Sequence, residues 1–485
     1  MNWKMIFRII SYILMIEIAL MCPAFLISLA EHETAAVTGY LESFVIMAIV
    51  TAVLFILTRH ARKGFNARDG FVTTGLTWII MSALGCLPFY LSHEIPSYVD
   101  CLFEMISGFT TTGSSILTNV EALDKGLLWW RSFSHWVGGM GILVFMLAIV
   151  PLGGKNQGFT MHILRAESPG PSVGKVVPRM RKTASILYGI YIGLTIADIL
   201  FLRAGGMTWF EACCHAFGTA GTGGFGVKND SYMSYSPYLQ YVTTVFMLLF
   251  SVNFSIYYMI LIKRFKEAFF DQEFKTFWFI VGTCIILLTL NVRNLYPTLE
   301  EAFRHSAFTT ATILSTTGYA TTDFNQWSAF AKALILIMMC LGACAGSTGG
   351  GIKTIRTVLL FKTLRRNLHK NLHPEEVDVV KVNGRRVDEQ IIRNTEAYLI
   401  AYVIIVLSAF LLVSLDGFDV ETNLSAVLAT FNNIGPGLGA VGPTGNFAAY
   451  SNLSKIVFVF CMLAGRLEIY PIMIFFSRKT WKKGR

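Results

Sequence analysis

Charge is what this chain has least of. Only 14% of its 485 residues are Asp, Glu, Lys or Arg, against roughly 25% in soluble globular proteins. The gaps between charges are long apolar runs, at 45–57, 142–151, 241–262 and 277–292, and the run at 9–30 holds a single acid, Glu17. A bilayer core takes about 20 apolar residues as a helix. Composition therefore excludes an ordinary soluble domain and points to a polytopic membrane protein. The nine cysteines lack pattern too. None forms a C-x-x-C pair and most lie in apolar runs, which excludes a disulfide or zinc framework. Catalytic signatures are also missing. No HExxH motif appears, and no enzyme is expected. His135 and His215 have no second ligand at i+3 or i+4 and are expected to pack or hydrogen-bond.

What charge there is has a pattern. The net charge is +10, which alone would admit nucleic acid as a partner. Most Lys and Arg residues, however, fall in alternate loops, at 59–70, 153–184, 263–275, 361–395 and 478–485. That is the positive-inside bias of membrane proteins. It predicts that these loops and both termini are cytoplasmic, and no nucleic-acid partner is expected. The intervening loops carry acids, read as solvated outer charges that attract cations. Glu31, Asp100, Glu104, Asp124, Glu211, Asp323 and Asp419 are among them. The run at 7–30 is too long for a signal peptide and reads as a first span. Glu17 and Asp198, both inside apolar runs, receive no role beyond helix–helix hydrogen bonding.

The chain repeats itself. After two leading spans (7–30 and 40–58), one shape recurs four times: a full span, a half-length helix, a Gly/Thr-rich turn and a returning span. The half-helices are expected at 98–109, 208–219, 299–314 and 420–431, each with polar or acidic residues near its start. The turns read FTTTGSS (109–115), GTGGFG (221–226), STTGYATTD (315–323) and NNIGPGLG (432–439). The outgoing spans are 71–90, 185–201, 277–292 and 398–415. The returning spans are 129–152, 239–262, 329–360 and 454–476. The expected architecture is all-α with ten crossings: two leading spans (1–70), then parallel units at 71–184, 185–275, 276–395 and 396–485. Four units of one orientation imply pseudo-fourfold symmetry about an axis normal to the bilayer, rather than the inverted repeats of rocking carriers.

Irregular backbone survives at membrane depth only where it is buried in protein or lines a water-filled path. Four such turns on one axis would aim main-chain carbonyls inward, where they can replace an alkali cation's hydration shell. Glycine supplies the backbone freedom this needs. No carboxylate ring lies in the turns, which argues against divalent ions.

Taken together, these residues resemble the TrkH/Ktr/HKT superfamily of potassium transporters. The likeness runs the length of the chain, through TTTG (110–113), GGF (223–225), TTGY (316–319) and NNIGPGLG (432–439). WVGGMGI (136–142), RAESPGP (165–171), GACAGSTGGGIK (342–353) and AGRLE (464–468) extend it. The resemblance implies potassium as the permeant ion, with no organic cofactor in this chain. It implies one filter glycine per turn, with the two preceding carbonyls on the ion. These are Thr111, Thr112 and Gly113 in the first turn, and Thr316, Thr317 and Gly318 in the third. They are Asn433, Ile434 and Gly435 in the fourth. The second turn holds Gly221, Gly223 and Gly224; alignment on the glycine before an aromatic selects Thr222, Gly223 and Gly224. The resemblance further implies a bacterial inner-membrane homodimer with a cytosolic, nucleotide-binding TrkA-like ring as regulatory subunit. The basic loop 361–395 is a candidate for that contact, or for anionic lipid. A sodium- or proton-coupled carrier built on the same fold remains the alternative.

The run AGSTGGGIKT (345–354) has nearly the glycine spacing of a phosphate-binding loop. Ile352 displaces the lysine from its place, however, and the flanks are apolar spans. A broken helix fits better, because each glycine costs a helix about 1 kcal/mol relative to alanine. In the resembling family this loop is a gate, which implies that role for Gly346, Ser347, Thr348, Gly349, Gly350, Gly351 and Lys353. Arg466 is expected at membrane depth, facing the path or a buried acid, as a charge barrier.

Overall fold

The computed structural model describes residues 1–61, 66–141, 180–376 and 378–481, and nearly all of its regular structure is helical. Residues 153–179 of the second basic loop, with the RAESPGP motif, and 142–152 of the first returning span lie outside the described residues. Two leading helices, Trp3–Ala30 and Thr34–Leu57, form an antiparallel pair. Four further long helices follow: Ala67–Gly85 (continued by Leu87–Leu91), Met180–Ala204, Gln272–Val292 and Glu389–Val413. These six spans are long and apolar enough to cross a membrane. Their outward side chains, such as Ile49, Ile56, Phe279, Leu290 and Leu411, are exposed, as lipid-facing residues are.

Each of the later four is followed by a short helix: Tyr98–Phe109, Trp209–Gly221, Leu299–Leu314 and Val420–Phe431. Their 12 to 16 residues reach roughly 18–24 Å at 1.5 Å per residue, short of a bilayer core of about 30 Å. Each starts at a residue whose side chain accepts a backbone N–H inside the first turn. Ser97 accepts from Asp100, Thr208 from Glu211, Thr298 from Glu301 and Asp419 from Thr422. Capping of this kind is worth about 1 kcal/mol. Beyond their first turns the four helices are almost wholly buried.

The returning segments differ from expectation. A break is expected only in the third, yet the second and fourth are interrupted as well. The first helix, Lys125–Gly139, ends at Met140, before Gly141 at φ 79°. The second divides into Pro237–Ser251 and Phe254–Leu261, bent by 89°, where Asn253 caps the new helix by accepting the N–H of Ser255. The third stops at Cys340 and resumes at Thr354. The fourth divides into Asn452–Arg466 and Tyr470–Phe476, with Glu468 and Ile469 at positive φ and Pro471 in the first turn of the second piece. Single polar residues such as Asn253 and Glu468 end these helices without interrupting the apolar composition. A two-residue hairpin, Lys381–Val382 with Arg385–Arg386, is the one β-ladder among the described residues. It turns through Asn383 and Gly384, both at positive φ, as a tight hairpin requires.

Candidate functional site

The four Gly/Thr-rich turns begin where the four short helices end, and they share one backbone path. Thr111, Thr222, Thr316 and Asn433 all stand at φ between 54° and 62°. Two residues later Gly113, Gly224, Gly318 and Gly435 stand at φ 81°, 79°, 92° and 106°. A β-branched residue in the left-handed region costs on the order of 1–3 kcal/mol and marks functional backbone. Three threonines here bear that cost. The path is held by the same hydrogen bond each time. Thr112 N–H donates to Ser107, Gly223 to Gly218, Thr317 to Thr312 and Ile434 to Ala429, at 2.8–2.9 Å.

The turns also touch one another in order. A β-carbon placed on Gly113 would lie 1.9 Å from the carbonyl oxygen of Gly223. One on Gly224 would lie 2.0 Å from that of Thr317, and one on Gly318 2.1 Å from that of Ile434. One on Gly435 would lie 2.8 Å from that of Thr112, which closes the circle. The carbonyl met is always the one before the neighbouring turn's glycine. These contacts join eight of the twelve residues expected in the turns, and in the second turn it is Gly224 that shares the pattern of Gly113, Gly318 and Gly435. A cavity of about 160 Å³ beyond the turns is lined by all four glycines. The carbonyl-bearing, negative ends of four helix dipoles meet here, an arrangement that favours a cation. The Thr111 hydroxyl is buried with no protein partner among the described residues.

On the other side of the turns lies the glycine-rich loop. Leu341 bridges to Ile352 as the chain doubles back, and the loop between is stitched to its surroundings. Gly350 N–H donates to Thr316 Oγ1 at 2.6 Å. Cys344 N–H donates to Ser251 O and Phe254 N–H to Gly346 O, both at 3.0 Å. Ser347 Oγ turns inward to Cys344 O, and Thr348 Oγ1 donates to Phe250 O. A β-carbon on Gly350 would lie 2.4 Å from Asn432 O, and one on Gly349 2.8 Å from Ser315 O. Gly351 takes φ 70° where the chain turns back. The loop thus sits directly against the third and fourth turns. Lys353, buried, gives its ammonium to Gly349 O. Arg466 donates to Thr348 O at 2.8 Å, to Gly138 O at 2.5 Å and to Gly139 O at 2.6 Å. One guanidinium therefore ties the loop to the end of the first returning helix. The nearby acid, Glu468, pairs instead with Arg356 at 2.5 Å.

Residues 38–483 match the family profile TrkH, described as a cation transport protein. The chain belongs to the TrkH family. It is 34% identical to the Trk system potassium uptake protein TrkH of Halomonas elongata, over the whole of both chains. It is 32% identical to that of Escherichia coli K12, again over the whole of both. Its structure superposes on the crystal structure of the potassium transporter TrkH from Vibrio parahaemolyticus with a TM-score of 0.88. That match is 31% identical and covers 99% of this chain and 100% of the other.

Within this TrkH-family fold, one expected surface acid is misplaced by the sequence reading. Glu104 is fully buried in the first short helix and pairs with Arg131 at 2.6 Å. The spacing of Glu104 and Arg131 carries no motif; the only signal is a charge on the apolar face of a short helix. His135 and His215 are held as expected. His135 bonds Gly108 O and the amide of Phe225, and His215 bonds Tyr235. The described residues hold no cluster of metal-ligating side chains. Glu17 and Asp198 are buried with neither carboxyl oxygen hydrogen-bonded among the described residues.

Proposed function

We propose that the chain takes up potassium across the bacterial cytoplasmic membrane by channel-like permeation through the ring of four turns. The closed circle of glycine-to-carbonyl contacts carries this reading. It supports four parallel units, at 71–184, 185–275, 276–395 and 396–485, about a central path. The carbonyls of Thr111 and Thr112, Thr222 and Gly223, Thr316 and Thr317, and Asn433 and Ile434 are the ion's ligands. The glycines at 113, 224, 318 and 435 allow the backbone to present them. Potassium is the cargo, in keeping with the potassium uptake proteins to which the chain is similar.

The glycine-rich loop is the gate. Its contacts with the third and fourth turns support an obstruction just below the ring, and Arg466 supports it from the far side. Gly346 to Gly351, Lys353 and Arg466 hold the closed state. The helix Thr354–Leu372 leads from the gate into the basic segment 361–395, which gives a cytosolic nucleotide-binding ring of the TrkA kind a handle on the loop. The functional unit is a homodimer in lipid, with both termini cytoplasmic. A coupled carrier is the second reading. It is favoured by Asp198, whose buried carboxyl lies in the second outgoing span behind a short helix of the ring.

The test is growth of cells lacking their own potassium uptake systems at low potassium, with rubidium uptake into vesicles of purified protein alongside. Restored growth, and uptake driven by a potassium gradient alone, are expected. Uptake that needs an imposed proton or sodium gradient would replace channel-like permeation with the carrier.

A further inference from the structure

Glu104 and Arg131 form an ion pair buried behind the ring. Glu104 is 0% exposed and Arg131 3% exposed. The Glu104 carboxylate accepts hydrogen bonds from three residues, the single Ser115 hydroxyl proton being shared between its two oxygens. Ser115 Oγ reaches both oxygens at 2.9 and 3.1 Å, Ile116 N–H reaches one at 3.0 Å, and Arg131 Nε reaches the other at 2.6 Å. Ser115 and Ile116 leave the first turn just after Gly113. Arg131 extends its other arm to Gly226 O at 3.2 Å, and its guanidinium carbon lies 3.5 Å over the ring of Phe225. Phe225 and Gly226 leave the second turn just after Gly224. One charge pair therefore grips the exits of two adjacent turns, and Arg131 also lines the cavity above all four glycines.

The arrangement is particular to this pair of turns. The places matching Glu104 in the other three short helices are His215, Thr309 and Ala426. The third turn is tied by Tyr319, whose hydroxyl bonds Phe225 O at 3.2 Å and His215 O at 3.0 Å. The fourth is tied to the first by Ser114, which donates to Gly435 O at 3.0 Å. Neutral bonds suffice there. A carbonyl ring held at the size of potassium resists closing around the smaller sodium ion, so the stiffness of its supports is one contribution to selectivity. A buried ion pair whose carboxylate oxygens are both hydrogen-bonded is a stiff support, and one partner alone is strongly unfavourable.

We propose that Glu104 and Arg131 are positioning residues that hold the first two turns apart and in register, and so set discrimination between potassium and sodium. The proposal rests on the permeation reading above. It is tested on full-length protein in lipid vesicles, with reversal potentials giving the potassium-to-sodium permeability ratio for Glu104→Gln, Arg131→Met and the double variant. The amount of folded protein is measured for each. Gly113→Ser serves as a control on the ring itself. Both single variants are expected to lower the ratio about tenfold, the change that 1.4 kcal/mol at one site represents. They are also expected to reduce folded protein, since each leaves a lone buried charge. The double variant, with no lone charge, should recover the folded amount but not the ratio, and Arg131→Lys should recover part of the ratio. A double variant with the parent ratio, while Gly113→Ser shifts it, would reduce the pair to a folding element and overturn the proposal. If Gly113→Ser also keeps the parent ratio, the ring is not the filter and the permeation reading fails with it.

Discussion

The amide of Gly350 donates a 2.6 Å hydrogen bond to the hydroxyl of Thr316, so the glycine-rich loop is bonded to one of the four turns. On the proposed reading, gate and filter are then in direct contact, and changes in the loop should be read out as ion flux.

Gly350→Ala is the sharpest such change. Its β-carbon would lie 2.4 Å from Asn432 O, a contact that rigid backbone cannot relieve. The alanine should unseat the loop and raise rubidium uptake several-fold at equal protein, and deleting 346–351 should act in the same direction. Unchanged uptake in both would remove the loop from gating.

Arg466→Ala should also raise conductance. It removes three hydrogen bonds to main-chain carbonyls that join the loop to the first returning helix. It also withdraws a positive charge from beside the path. Lysine keeps the charge but not the planar fork, so Arg466→Lys should fall between. Single-channel recording checks the order; equal conductance in all three would contradict it.

Glu273 holds the loop at both ends. One carboxylate oxygen accepts the amides of Ala345 at 2.6 Å and Ile355 at 3.1 Å. Glu273→Ala should leave two buried amides without an acceptor, at a cost of about 1–3 kcal/mol each, and shift the gate toward open. Glu273→Gln keeps a carbonyl acceptor and should shift it less. Vesicle uptake at matched protein separates the two; a larger effect of glutamine would be inconsistent with this role.

The cap of the fourth short helix should show in stability. The hydroxyl and amide of Thr422 hold the Asp419 carboxyl below the usual carboxylate range. A depressed value means the contribution is present above the unfolded value, near 3.9, and is lost as pH falls below it. Asp419→Ala should cost about 1 kcal/mol at pH 7. Thermal unfolding in detergent should show the gap between parent and variant closing below about pH 4. A gap that is absent at pH 7, or that widens in acid, would contradict the capping account.

Much of this was legible from the residues. Three of the four short helices have the bounds their polar starts and turn residues imply, because Ser97, Thr298 and Asp419 cap them and glycine-rich turns follow. The four turns share one backbone path because a threonine or asparagine and a glycine recur two residues apart in each. The breaks at Asn253 and Glu468 were not legible: one polar residue barely changes the composition of an apolar run, and the kink depends on contacts made elsewhere in the chain. The burial of Glu104 was hidden for a related reason. A carboxylate looks solvated until its partner is known, and Arg131 lies on a different helix. Arg466 was legible as a charge at membrane depth, but its carbonyl partners come from two distant segments.

The central claim is that main-chain oxygens of four turns surround a single dehydrated monovalent ion. Anomalous diffraction from crystals grown in rubidium or thallium tests it most directly. The account predicts anomalous peaks on the axis bounded by the carbonyls of Thr112, Gly223, Thr317 and Ile434, weakened when sodium replaces the heavier ion. Peaks confined to other sites, with none inside that ring, would contradict it.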